Sequence, residues 1–140
     1  MPLMRWDQSL DVGVEAMNDE HKHIVDLMNR IRDESEAGLD GEPMIELTED
    51  LERVTLEHFN DEEAYMASID YDGLSSHRLA HEELARKLSY FCDETEENDG
   101  RISHAFLMFM MLWLQGHMKG VDMKYGGAAV PQDPGVRKAG

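Results

Sequence analysis

The amino-acid sequence predicts an all-α fold, an antiparallel up-down four-helix bundle with an N-terminal extended arm over the bundle. Two observations carry that expectation: four stretches place apolar residues at the three-and-four spacing of an amphipathic helix, and turn-forming residues separate them. No stretch has a period-two strand pattern of comparable strength, and no internal repeat is evident. A chain of 140 residues suits one compact domain with a full core.

The elements follow in order. An arm over residues 1–16 carries Leu3, Met4, Trp6, Leu10, Val12 and Val14. Helix is expected over about 17–38, where Met17, Ile24, Met28 and Ile31 share a face, and the link Gly38-Leu39-Asp40-Gly41-Glu42-Pro43 ends it. Pro43 suits the first turn of a second helix over 43–67 with Leu47, Leu51 and Val54 on its stripe. The link from Ser68 to Gly73 precedes a third helix over 74–92, with Gly73 as the stop and Ser75 and Ser76 as cap candidates. Asp93 to Gly100 reads as the last link, and Ile102, Phe106, Phe109 and Trp113 mark a fourth helix over 101–122. The domain closes near residue 126, and 127–140, with Pro131 and Pro134, reads as a flexible tail.

Continuing each stripe by helical steps meets residues that do not belong in an apolar core. His21 falls between Met17 and Ile24; Val54 leads to His58 and Glu62; Leu74 leads to His77 and His81; Trp113 leads to His117. Imidazoles and carboxylates buried together are costly unless a cation satisfies them, which points to a metal centre. One such histidine is more often an ordinary core residue, but five on four stripes are not. His23 and His104 lie two residues off their stripes and are expected to face solvent. Asp122 completes the candidate set. It lies five residues after His117, about 140° around a regular helix, so the fourth helix is expected to distort into a π-type turn or to end between them, eased by Gly116 and Gly120.

Composition narrows the function classes. A net charge of −17 disfavours nucleic acid and anionic membrane surfaces as partners. The acidic run Asp93-Glu94-Thr95-Glu96-Glu97 reads as a solvated helix end. The single cysteine, Cys92, is expected to be a partly buried thiol and not a ligand, and with no apolar run of signal-peptide length it suggests a cytoplasmic protein. Ala105 to Leu114 is wholly apolar but about half the ~20 residues that span a membrane, so no insertion is expected. The arm accounts for the cover on that all-apolar stretch; a subunit interface or an apolar path for a small gas are the other accounts.

The segments Asn18-Asp19-Glu20-His21-Lys22, His58-Phe59-Asn60-Asp61-Glu62-Glu63, His77-Arg78-Leu79-Ala80-His81 and Trp113 to Tyr125 closely resemble the hemerythrins, with the look of the bacterial members of that family, over roughly residues 6 to 125. The resemblance implies a non-haem centre of two iron ions per chain that binds dioxygen reversibly, in a carrier, storage or delivery protein that is not an enzyme. It further implies that His77, His81 and His117 hold one iron and His21 and His58 the other. Glu62, Asp122 and an oxo or hydroxo group would bridge them. Three nitrogens plus three bridges fill an octahedron, whereas two plus three leave a position for dioxygen, which Leu114 would cap with Phe59 beside it. A monomer or weak oligomer is expected, with any protein client left open.

Rival readings carry less. Ferritin-like di-iron oxidases use Glu-x-x-His pairs, and none of the five candidate-ligand histidines here has glutamate three residues before it; the one such pair, Glu20 with His23, has its histidine off the stripe. A zinc hydrolase would want glutamate directly after the first histidine of the His77 and His81 pair. An oxygen or redox sensor, or an oxidase or peroxidase-type enzyme, remains the alternative function. Iron itself rests on the resemblance, because imidazole and carboxylate ligands alone do not select it.

Overall fold

The computed structural model describes residues 15–113 together with His117. Helix α1 runs Glu15–Glu36, α2 Gly41–Ser68, α3 Leu74–Glu97 and α4 His104–Trp113. Among the described residues there is no strand, and the architecture is an all-α bundle of four helices joined by short links, the condition that makes successive helices antiparallel neighbours.

Three helices end alike. After α1 the Leu39 N–H donates to the Glu34 carbonyl and the Gly38 N–H to that of Ser35, with Gly38 at φ +94°. After α2, Tyr71 donates to Met66 and Asp70 to Ala67, with Asp70 at φ +51°; after α3, Gly100 donates to Thr95 and Asp99 to Glu96, with Asp99 at φ +56°. Each is a Schellman closure, in which one left-handed residue lets the chain double back and satisfy the last carbonyls. The left-handed residue is aspartate twice, so the stop of α2 is Asp70 and not Gly73. Gly73 instead opens α3, and His77 N–H donates to its carbonyl at 2.9 Å, with no side-chain cap from a serine.

The third helix also runs further than its apolar stripe. The run Asp93 to Glu97 is helical because Thr95 is fully buried and returns its hydroxyl to the Phe91 carbonyl at 2.8 Å, holding the last turn against the bundle. Helix α4 starts at His104, where the Ser103 hydroxyl oxygen accepts the Phe106 N–H at 3.1 Å and caps the first turn. The α1–α2 and α3–α4 links meet at one end of the bundle: Gly41 N–H donates to the Asp99 carbonyl at 2.7 Å, and a Cβ on Gly100 would lie 2.2 Å from the Gly41 oxygen.

The core runs from this end towards the middle of the bundle. Ile24, Met28, Ile31, Met44, Leu51, Leu88, Phe106 and Met110 are all buried in it. Cys92 joins it, its thiol donating to the Thr48 carbonyl at 3.5 Å. A second small cluster at the opposite end packs Met17 on Met66 with Tyr65, Tyr71 and Leu74 around them. Between the two clusters the core is polar, and that layer is the site. On α4 only Phe106, Met110 and Trp113 are fully buried, while Leu112 is exposed. No helix among the described residues is long and apolar enough to cross a membrane. The N-terminal arm to residue 14, Leu114, Asp122 and the tail lie outside the described residues.

Candidate metal centre

Each helix delivers its share by register. α1 brings His21, α2 brings His58 and Glu62 one turn apart, α3 brings His77 and His81 one turn apart, and the chain beyond α4 brings His117. Residues four apart lie about 40° apart around a helix and can serve one ion. His117 lies in a π-helical turn, at the place where the spacing to Asp122 predicts a departure from regular helix. All six described residues are buried, from 0% exposure for His21 and Glu62 to 4% for His117. His23 and His104, two residues off their stripes, are exposed.

The two oxygens of Glu62 divide the histidines. Oε2 lies 3.3 Å from His21 Nε2 and 3.2 Å from His58 Nε2. Oε1 lies 2.8 Å from His81 Nε2, 3.3 Å from His77 Nε2 and 3.8 Å from His117 Nε2. Two groups result, His21 with His58 and Glu62, and His77 with His81, His117 and Glu62, and in each the ligand atoms lie within 4.8 Å of one another. Burial alone would push the Glu62 carboxyl up; the imidazoles of His117, His21, His58 and His77 ranged around it outweigh that and hold the group well below the usual carboxylate range.

The donor set fits metal ions. The Nδ1–H of His58 donates to Glu20 Oε1 at 2.6 Å and that of His81 to Glu63 Oε2 at 2.8 Å. An ionised carboxylate only accepts, so these partners place a ring proton on Nδ1, and in the neutral imidazole that leaves the Nε2 lone pair facing the centre. His81 Nε2, though 2.8 Å from Glu62, makes no hydrogen bond of acceptable geometry. Neutral imidazole nitrogens converging on a buried carboxylate can hold a cation.

Apolar side chains close the layer. Phe59 stacks on His81 with ring centroids 3.9 Å apart and planes 9° apart, and it meets Trp113 edge-on at 6.0 Å and His117 at 5.8 Å. A groove of about 750 Å³ between α3 and α4, walled by Leu84, Phe91, Met108, Phe109 and Trp113, also has His117 in its lining.

Of the residues singled out in the sequence, His21, His58, Glu62, His77, His81 and His117 come together, with Phe59 against them. Leu114 and Asp122 are not described. Glu20 and Glu63 were not anticipated, although both stand beside a candidate ligand in the sequence. Their signal is a carboxylate adjacent to a ligand, which on a bundle can reach the ligand of the next helix.

The profile of the family described as "Hemerythrin HHE cation binding domain" matches residues 12–129. This chain belongs to the hemerythrin family. A myohemerythrin of Riftia pachyptila is 30% identical over 122 residues, covering 87% of this chain and 90% of that protein. A bacteriohemerythrin of Clostridium acetobutylicum is 24% identical over 124 residues, covering 86% and 96%. The crystal structure of a hemerythrin point mutant shares the fold at a TM-score of 0.82 and 24% identity, covering 90% of this chain and 96% of that one. In this hemerythrin-family chain the described candidate ligands His21, His58, Glu62, His77, His81 and His117 are all buried, and Asp122 lies outside the described residues.

Proposed function

We propose that this protein binds dioxygen reversibly at a centre of two iron ions, as a carrier, storage or delivery protein and not as an enzyme. The observation that carries the reading is the division of five histidines, two and three, about the two oxygens of one buried carboxylate. His21 and His58 would hold one iron, His77, His81 and His117 the other, with Glu62 shared, and with Asp122 and an oxo or hydroxo group completing the bridges. When bound, two ferrous ions with unequal protein ligation supply the electrons and the open position that reversible oxygen binding needs.

The rest is done by the chain itself. Phe59 covers His81 and, with Trp113, replaces water by aromatic surface beside the His117 ring. Keeping water and protons from the centre is what separates a carrier from an oxidase. Leu114, one turn before His117 in the sequence, is assigned to the same apolar wall. The groove lined by Met108, Phe109 and Trp113 offers a small apolar gas an approach towards His117. A reducing cytoplasm is the compartment inferred, since the single thiol, Cys92, is buried and unpaired with another cysteine.

The test has two steps. Metal analysis after expression with adequate iron should return two irons per chain, and one zinc or none would overturn the reading. Oxygen titration of the reduced protein followed by evacuation should restore the starting spectrum; irreversible oxidation with turnover of a reductant would make it an oxidase.

A further inference from the structure

The two metal positions are backed from outside by the same arrangement, built twice. Glu20 of α1 reaches across to α2, where it accepts the Nδ1–H of His58 at 2.6 Å, with the Asp61 carboxyl, three residues further along that helix, beside it. Glu63 of α2 reaches across to α3, where it accepts the Nδ1–H of His81 at 2.8 Å and the Nε–H of Arg78 at 3.1 Å, three residues before it. Each glutamate thus accepts from one histidine of the next helix, and in both cases that histidine faces Glu62; Glu63 is held by Arg78 as well. Neither glutamate points into the centre. Their side chains are 29% and 23% exposed, whereas Glu62 is fully buried.

We infer that Glu20 and Glu63 are positioning residues, one for each metal position: Glu20 acts on the His21 and His58 position through His58, and Glu63 on the His77, His81 and His117 position through His81. The inference rests on the two-metal reading above and adds to it that the outer carboxylates are site-selective. The physical reason is that a ring donating Nδ1–H to a carboxylate is held in one tautomer and one orientation, and its Nε2 becomes a better donor. Without the acceptor, a buried imidazole can move its proton to Nε2, where it opposes a cation. The two glutamates differ in the residue beside them. Glu63 is paired with the Arg78 guanidinium, which fixes its charge in place, while Glu20 has the Asp61 carboxyl beside it. The position with two histidines, which the family resemblance assigns to dioxygen, is therefore the one whose outer glutamate has an aspartate and not an arginine beside it.

The experiment uses the full chain and four variants, Glu20→Ala, Glu20→Gln, Glu63→Ala and Glu63→Gln. In the metal-free protein, nitrogen-proton NMR of the histidine rings reads the tautomers: His58 and His81 should be Nδ1–H in the parent. Glu20→Ala should release His58 alone and Glu63→Ala His81 alone, and glutamine, which can still accept, should restore the tautomer in each. Titration with cobalt(II) then reads the metal positions. Glu20→Ala should weaken one of two equivalents by roughly 10- to 100-fold and spare the other, Glu63→Ala should do the reverse, and the glutamine variants should lie between. Equal weakening of both equivalents in every variant would mean general structural damage and overturn the inference. So would unchanged tautomers and affinities. A parent that takes up one cobalt only would instead defeat the two-metal reading, and the tautomers would still decide whether each glutamate sets its histidine.

Discussion

Replacing Glu62 with glutamine separates the cost of the buried carboxylate from its use. Glu62 is fully buried with one oxygen towards each histidine group. Glutamine keeps the volume but turns one of those oxygens into an NH2 group, so that one histidine group faces a donor in place of an acceptor. Without metal the change should be nearly neutral, within about 1 kcal/mol, because a buried charge is removed and hydrogen bonds to neutral imidazoles can be remade. With metal the outcome should differ. An ion present at 100 times its dissociation constant stabilises the fold by about 2.7 kcal/mol, and a pair by about 5 kcal/mol. For a domain of this size that is a rise of roughly 15 °C in Tm for the parent and half of that or less for Glu62→Gln. The assay is thermal unfolding with and without iron under reducing conditions, beside metal analysis of the same samples. A variant that holds two irons per chain and shows the parent's full metal-dependent rise would refute the assignment of Glu62 as the shared ligand.

The other expectations concern the frame and the wall. Gly100→Ala should cost more than about 3 kcal/mol in urea unfolding, because φ is +82° and the new Cβ would meet the Gly41 backbone at 2.2 Å, whereas Asp99→Gly, relieving a left-handed aspartate, should gain up to about 1 kcal/mol. Phe59→Ala should lose about 3–5 kcal/mol as a core truncation, and the iron-loaded variant should oxidise faster in air, read from its optical spectrum. The Cys92 thiol is pushed up to about 12, by burial first and then by Glu52 and Asp93. Alkylation at pH 8 should therefore be very slow in the folded protein and fast in urea, and comparable rates in both would show the thiol to be exposed.

The helices and the candidate ligands were legible in the sequence for one reason: a helix face is periodic, and what lies on the apolar period is turned towards the interior. His21, His58, Glu62, His77, His81 and His117 could be picked out by counting, and His23 and His104 set aside by the same count. The counting stops where periodicity is not the deciding force. The end of α3 follows Thr95 and the left-handed Asp99 and not the apolar stripe, and Asp70 ends α2 where Gly73 stood nearby as the obvious residue. Local propensity is weaker there than a buried hydroxyl bond or a doubled-back closure. The pairing of Glu20 with His58 and of Glu63 with His81 was likewise invisible, since it depends on which helix lies beside which and at what height. Sequence spacing thus determined what each helix offers to the interior. Only the packing of the helices decided that the two Glu62 oxygens divide the histidines two and three, because interatomic distances between elements are set by side-chain interdigitation and not by any period along the chain.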